Sequence, residues 1–424
     1  MVKVTLPFGK GRVQFEVPKK NLIGIIEPSY AKIVPNPRSE IRRALDNPIG
    51  CEPLKKLVSS GKKIAIVVTD YTRACPDDII LPMLLDDLEA AGVDPKDVTV
   101  VVGTGAHRPM TEGEMQEKFG VSDRVQVVNN EPFDEKKLVY LGKTSTGGPI
   151  YINSEVAGAD VVIAVGVVEP HQYAGFSGGR KLVAVGAAGI KSITHVHQPK
   201  FIDAKGTRLC SLEENSFHHE LVEMAGKTNL KFAVNVVLDV KHKLVRCFAG
   251  DPTVSFEEAT KLACELYVQK VLEPADILVL GVGHPKDVDL YQSSRSFTYA
   301  YFASKPAVKE GGIIILATPC PEGTGNLAFE NLLRHSRTPS EAVKKGKEIG
   351  FEAGEQRAYM VAKVLEHAKV IVVGSSIPSR VLQEMFFDSA KTVDEALAKA
   401  FKIAGKNAKV LIIPHSLLTI PMVG

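Results

Sequence analysis

Ile64-Ala65-Ile66-Val67-Val68, followed at once by Thr69-Asp70-Tyr71-Thr72-Arg73, carries the reading of this chain. Five apolar residues without polar alternation describe a strand buried on both faces, and the abrupt change to polar residues marks its end. The pattern recurs. Val98-Thr99-Val100-Val101-Val102 runs into Gly103-Thr104-Gly105-Ala106-His107-Arg108, and Val161-Val162-Ile163-Ala164-Val165 leads to Glu169-Pro170-His171-Gln172-Tyr173. Similar runs stand at Ile277–Leu280, Ile313–Leu316, Val370–Val373 and Val410–Ile413. Between the runs lie helix-like stretches at 80–91, 214–226, 255–272, 295–310 and 355–367, with Gly92, Gly226 and Gly311 where helix ends are expected. Strands alternating with amphipathic helices predict an α/β protein with mainly parallel sheets flanked by helices.

A chain of 424 residues is long enough for two domains. The stretch Ser255–Leu272, closed by Glu273-Pro274, is the candidate hinge. The expected domains are therefore 1–268 and 269–407, with the tail 408–424 packing back on the first. Hydrophobic residues make up 45% and charged residues 24%, with a formal charge of +3, so neither disorder nor a nucleic-acid partner is expected. The N-terminal Met1–Gly9 alternates like an edge strand and lacks a signal-peptide core. No apolar run approaches the roughly 18 residues needed to span a membrane. The six cysteines (51, 75, 210, 247, 264 and 320) include no C-x-x-C, which argues against a disulfide framework or zinc ribbon and points to the cytoplasm.

Ligands of open parallel sheets bind beyond the carboxyl ends of the strands, where loops can carry polar groups. Three such ends here carry Asp70 and Arg73, His107, and His171. The third cluster continues as Ala174-Gly175-Phe176-Ser177-Gly178-Gly179-Arg180-Lys181, whose glycines and cations suit an anion. It does not align with the G-x-x-x-x-G-K-[ST] phosphate loop, and Gly103-x-Gly105 lacks the third glycine of the dinucleotide fingerprint, where Arg108 stands. Gly189–Thr194 reads as a helix start, so at most one of His195 and His197 is expected to ligate a metal, a structural role being the alternative. His218-His219 reads as a surface pair. Gln292 and Arg295 lie three apart. They could grip a small carboxylate, or simply open a helix with a solvated Arg.

The strings Asp70-Tyr71-Thr72-Arg73, Gly103–Arg108, Pro170-His171, Ala174–Lys181 and Asp289-Leu290-Tyr291-Gln292 together resemble the lactate racemase family, the nickel-pincer-nucleotide-dependent 2-hydroxyacid racemases and epimerases. The resemblance spans nearly the whole chain and is densest between residues 70 and 197. It implies an isomerase with its site in an interdomain cleft, acting on lactate or a related 2-hydroxy acid. The implied cofactor is pyridinium-3,5-bisthiocarboxylic acid mononucleotide, holding nickel as an S–C–S pincer and loaded by dedicated synthesis proteins. By position, Lys181 would tether it covalently and His197 would ligate the nickel. Asp70, Tyr71, Thr72 and Arg73 would bind the cofactor. His107 and His171 would be the paired acid and base for a reaction run by hydride transfer, and Arg73, Gln292 and Arg295 would hold the substrate.

An S–C–S donor set plus one imidazole gives the square-planar geometry that Ni(II) accepts. Two imidazoles suit a racemase because each can take or return a proton near neutrality. The chain departs from lactate racemases in having Arg295 where they have Lys, and in having no Trp, so the particular 2-hydroxy acid stays open. A non-catalytic cofactor carrier is a second reading, countered by the paired imidazoles. A nicotinamide oxidoreductase is a third, countered by the incomplete glycine fingerprint.

Overall fold

Strand Ile64–Thr69 is buried at all six positions and Val161–Val167 at all seven, as unbroken β-branched runs require when helices cover both faces of a sheet. The computed structural model describes residues 1–29, 32–303, 305–352 and 354–424. Its chain forms two compact units, Tyr30–Glu265 and a second made of Met1–Ser29 with Leu266–Gly424.

The first unit holds a six-stranded sheet in the order Leu244–Gly250, Leu230–Leu238, Val161–Val167, Ile64–Thr69, Val98–Gly103, Gln126–Asn129. All neighbours run parallel except Leu244–Gly250, which turns back against Leu230–Leu238. Ile66, Val68, Val100, Ile163 and Val234 pack in one core with Ile80, Leu81, Leu84 and Leu88 of helix Asp77–Ala90. Burying each such side chain contributes about 1.5–3 kcal/mol. The three polar clusters thus follow adjacent parallel strands and share one edge of the sheet.

The second unit has six parallel strands in the order Asp388–Ala390, Lys369–Val373, Val308–Ala317, Ala275–Gly281, Val410–Ile413, Leu22–Ile25. Val4, Leu6, Phe15 and Val17, from the hairpin Val2–Phe8 and Gly11–Val17, join its core. The segment that crosses between domains is therefore the N-terminus. The tail expected to return to the first domain stays in the second: Val410–Ile413 pairs with Ala275–Gly281, and Ile420–Val423 with Val268–Val271.

Other elements are shorter than their patterns suggest. The predicted 255–272 helix ends at Tyr267, because Val268–Val271 is taken into that two-stranded pairing. The predicted 295–310 helix ends at Tyr301, and Val308–Ala317 is strand; Ser304 lies outside the described residues. Gly92 follows helix Asp77–Ala90 with φ +85°, whereas Gly226 is the last residue inside its helix and Gly311 lies in a strand. No helix among the described residues is long and apolar enough to cross a membrane.

Candidate active site

The turn after Ile64–Thr69 closes by a hydrogen bond from the Arg73 N–H to the Asp70 carbonyl, 3.3 Å. Asp70 is 3% exposed. One carboxylate oxygen accepts from the Thr72 N–H at 3.0 Å and the Thr72 hydroxyl at 2.6 Å. The other lies 2.6 Å from His107 Nδ1. Burial alone would raise the Asp70 pKa. The charge and hydrogen bond of His107, the Thr72 hydroxyl and Arg73 together hold it well below the usual carboxylate range. A permanent carboxylate on Nδ1 keeps a proton there and leaves Nε2 as the ring's acceptor. Asp70, expected on the cofactor, therefore spends its oxygens on His107 and Thr72.

Arg73 pairs with Glu169 (Nε to Oε1, 3.1 Å), tying the turn after one strand to the end of the next. The Arg108 guanidinium lies 4.2 Å from the centre of the exposed Tyr71 ring.

Pro170-His171 pairs antiparallel with Gly175-Phe176 in a small buried hairpin. His171 Nδ1 accepts from the Tyr173 N–H at 3.3 Å and the Ala174 N–H at 3.2 Å. Nδ1 being an acceptor, the neutral ring carries its proton on Nε2. His107 and His171 thus have opposite tautomers.

The glycine loop is held from below. The Gly179 N–H donates to Asn235 Oδ1 at 2.9 Å, from a fully buried side chain inside strand Leu230–Leu238. Arg180 turns into the protein. It meets His218 Nε2 at 2.9 Å and the Phe256 ring at 5.5 Å. Burial, then the neighbouring Arg180 and His219, push the His218 pKa down to about 4, so His218 is a neutral acceptor. The expected surface pair is only half so: His219 is exposed and His218 buried. Lys181 precedes a single π turn, Leu182–Gly186, which packs on the Gly103 backbone.

His195 lies within helix Ile190–Val196, and His197 follows it directly. His195 Nε2 is 3.1 Å from the Thr146 hydroxyl and 3.5 Å from buried Glu220. His197 Nδ1 donates to the Ile193 carbonyl at 2.7 Å, and its ring packs edge-on against Tyr173 and Phe217. A ring fixed through Nδ1–H to a carbonyl offers Nε2 to a metal, the usual support of a metal-bound imidazole. Among the described residues no three His, Cys, Asp or Glu side chains converge to form a cage.

Gln292 and Arg295 belong to the other unit. Asp289 caps helix Leu290–Ser293 by accepting from the Gln292 N–H at 2.6 Å. Gln292 Oε1 is buried with no hydrogen-bond partner among the described residues. Arg295 is 8% exposed, so it is not the solvated residue of the alternative reading.

A lactate racemase N-terminal domain profile matches residues 8–209, and a lactate racemase C-terminal domain profile matches residues 268–420. The chain belongs to the lactate racemase family. It is 33% identical to lactate racemase from Thermoanaerobacterium thermosaccharolyticum, over 99% of both chains. It is also 33% identical to the Lactiplantibacillus plantarum enzyme, over 98% of this chain and 99% of that one. The lactate racemase apoprotein structure from T. thermosaccharolyticum superposes with a TM-score of 0.90 at 32% identity, covering 99% of this chain and all of that one. A Thermotoga maritima protein shares the fold at 20% identity, with a TM-score of 0.71 over 93% of this chain and all of that one.

In this lactate racemase family member, sequence reasoning gave no task to Glu169, to Asn235, or to Lys118, whose ammonium lies 2.8 Å from the buried Asp77 carboxylate and 2.9 Å from the Arg73 carbonyl. A lone Asn amid the apolar run Val234–Leu238 was a usable signal, because buried strands carry polar side chains only where something needs them. Lys118 left none. On an ordinary amphipathic helix it reads as solvent-facing.

Proposed function

We propose that this chain is a racemase or epimerase of a 2-hydroxy acid, lactate or a close relative, dependent on the nickel-pincer nucleotide. The observation that carries the reading is the opposed hydrogen bonding of the two imidazoles. Inverting a hydroxyl-bearing carbon needs one group that takes the hydroxyl proton and another that returns it. His107 has its acceptor on Nε2, set by Asp70, and His171 has its proton on Nε2, set by the backbone of Tyr173 and Ala174.

The residues fit the cofactor. His197 would offer Nε2 to nickel, its Nδ1 being fixed on the Ile193 carbonyl as a metal-bound imidazole's usually is. Lys181 is the tether, at the end of a loop whose glycines have φ of +85° at Gly178 and +50° at Gly179. A Cβ at Gly178 would lie 3.0 Å from the Val167 carbonyl, so the chain can pass there only without a side chain. When bound, the cofactor supplies a hydride acceptor for the C2 hydrogen, which is too weakly acidic to leave as a proton. Tyr71, Thr72 and Arg73 bound the cofactor's side of the site, with Arg73 held by Glu169. Gln292 and Arg295 bind the substrate carboxylate, Arg295 as a bidentate donor.

The test uses protein loaded with cofactor, its Lys181 adduct verified by mass, and offers enantiopure 2-hydroxy acids. Chiral chromatography is expected to show interconversion of at least one. His107→Ala and His171→Ala are each expected to abolish turnover with the adduct mass unchanged. Loaded protein that leaves lactate, malate, aryl-lactates and sugar acids all unchanged would sink the reading.

A further inference from the structure

Lys118 sits in the last turn of helix Glu112–Phe119, whose start is fixed by the reciprocal capping of Thr111 and Glu114. Its side chain is 14% exposed and runs inward. The ammonium lies 2.8 Å from Asp77 Oδ2, a side chain with no exposure at all. It also donates to the Arg73 carbonyl at 2.9 Å. Burial pulls the Lys118 pKa down, but Asp77, the Cys75 thiol and Asp70 outweigh it and hold the ammonium above its ordinary range. The Thr69 hydroxyl adds a long contact to the same Asp77 oxygen, 3.4 Å.

A buried ion pair is a weak source of stability, since desolvation offsets most of the attraction. What this pair does have is a place. It joins helix Glu112–Phe119 to the first residue of helix Asp77–Ala90, and from there the Lys118 ammonium also bonds the backbone of the turn Asp70–Arg73. Asp70 and Arg73 reach in two directions from the turn, to His107 at 2.6 Å and to Glu169 at 3.1 Å. Holding both depends on fixing the backbone between them. The Arg73 N–H to Asp70 carbonyl bond is long, 3.3 Å, and does not fix it alone.

We infer that Lys118 is a positioning residue of the active site. Its ammonium, held in place by Asp77, anchors the Arg73 carbonyl, so that the Asp70 carboxylate stays on His107 Nδ1 and sets that ring's tautomer. Lys118 touches neither substrate nor cofactor; it acts through Asp70. The effect on catalysis rests on the function proposed above, whereas the effect on His107 does not.

The experiment compares wild type with D77N/K118M, which removes both charges and the donor to Arg73, and with K118R, which keeps a charged donor. Removing both partners avoids leaving a buried charge unpaired. The first reading is the His107 Nδ1–H resonance of the apoprotein by NMR, which a short bond to a carboxylate shifts far downfield. In D77N/K118M that resonance is expected to move upfield or vanish, and K118R is expected to keep it. The second reading is kcat/KM of loaded enzyme. D77N/K118M is expected to lose about 100-fold, chiefly in kcat, as misplacement of an acid–base group does. Should D77N/K118M fail to fold, D77N/K118Q, whose shorter amide draws back from Arg73, decides by the same readings. An unchanged resonance with kcat/KM within about twofold of wild type overturns the inference, leaving Lys118 a simple helix anchor. If loaded wild type racemises nothing, the functional reading falls, and the resonance still decides the position of His107.

Discussion

The His218 imidazole accepts a hydrogen bond from a buried guanidinium, and that arrangement has a signature in acid. Its pKa falls from an ordinary 6.5 to about 4, first because it is buried and then because Arg180 and His219 stand beside it. Above pH 6.5 the ring is neutral whether the chain is folded or not. As pH falls from there, the unfolded chain takes up a proton that the folded one refuses, so stability drops until about pH 4 and then levels. The full effect is on the order of 3 kcal/mol. His218→Gln keeps a neutral acceptor for Arg180 and cannot titrate. Its urea midpoint is expected to vary less between pH 7 and pH 4 than that of wild type, and an identical slope would count against the arrangement. Asp70 acts in the same sense at lower pH. Its depressed carboxyl contributes stability above the unfolded value, and that contribution is lost as pH falls through the folded one.

The hairpin Pro170-His171 with Gly175-Phe176 shows the same economy one scale up. Gly175 has φ +76°, and a Cβ there would stand 2.1 Å from the Ser211 carbonyl. Gly175→Ala therefore combines backbone strain with a collision against main chain that cannot swing aside. Because Gly175 is the partner of His171, the shift reaches the imidazole directly. The substitution is expected to destabilise the protein by more than about 2 kcal/mol, read as a lower melting temperature. It is also expected to remove racemase activity in whatever fraction still folds. Elements of this kind were legible in part. The paired glycines and the Pro170-His171 string stand out in the sequence, and unbroken β-branched runs located Ile64–Thr69, Val98–Gly103 and Val161–Val167 to within two residues. By contrast, Ile313–Leu316 marks only the end of Val308–Ala317, and Leu230–Leu238 was missed. What periodicity could not show was where helices stop, because the ends at Tyr267 and Tyr301 are set by strands that pair with distant segments. Nor could it show that Asp70 faces His107, a contact across 37 residues made by loops rather than by any regular element.

At the scale of the molecule, the same limit explains why the first 29 residues were assigned to the neighbouring domain. Their alternation reads correctly as strand, but a strand's partner is chosen by fit with a surface far away in sequence, here Val410–Ile413 for Leu22–Ile25. The attachment is extensive. Asn21 donates to the carbonyls of Lys406 and Ala408 at 3.0 and 2.9 Å, and the Gly9 N–H donates to Asp287 at 2.6 Å. Val4, Leu6, Phe15 and Val17 are each no more than 5% exposed. At about 1.5–3 kcal/mol apiece, these four side chains alone contribute on the order of 10 kcal/mol, comparable with the whole stability of a domain. A chain beginning at residue 30 is therefore expected to keep the fold of Tyr30–Glu265, whose core uses none of them, and to lose that of Leu266–Gly424. Limited proteolysis with mass mapping reads this directly, as a persistent fragment ending near Glu265 and rapid loss of everything after it. A truncated chain whose residues 266–424 resist protease as they do in the full-length protein would show that the N-terminal hairpin is an ornament of that sheet rather than part of its core.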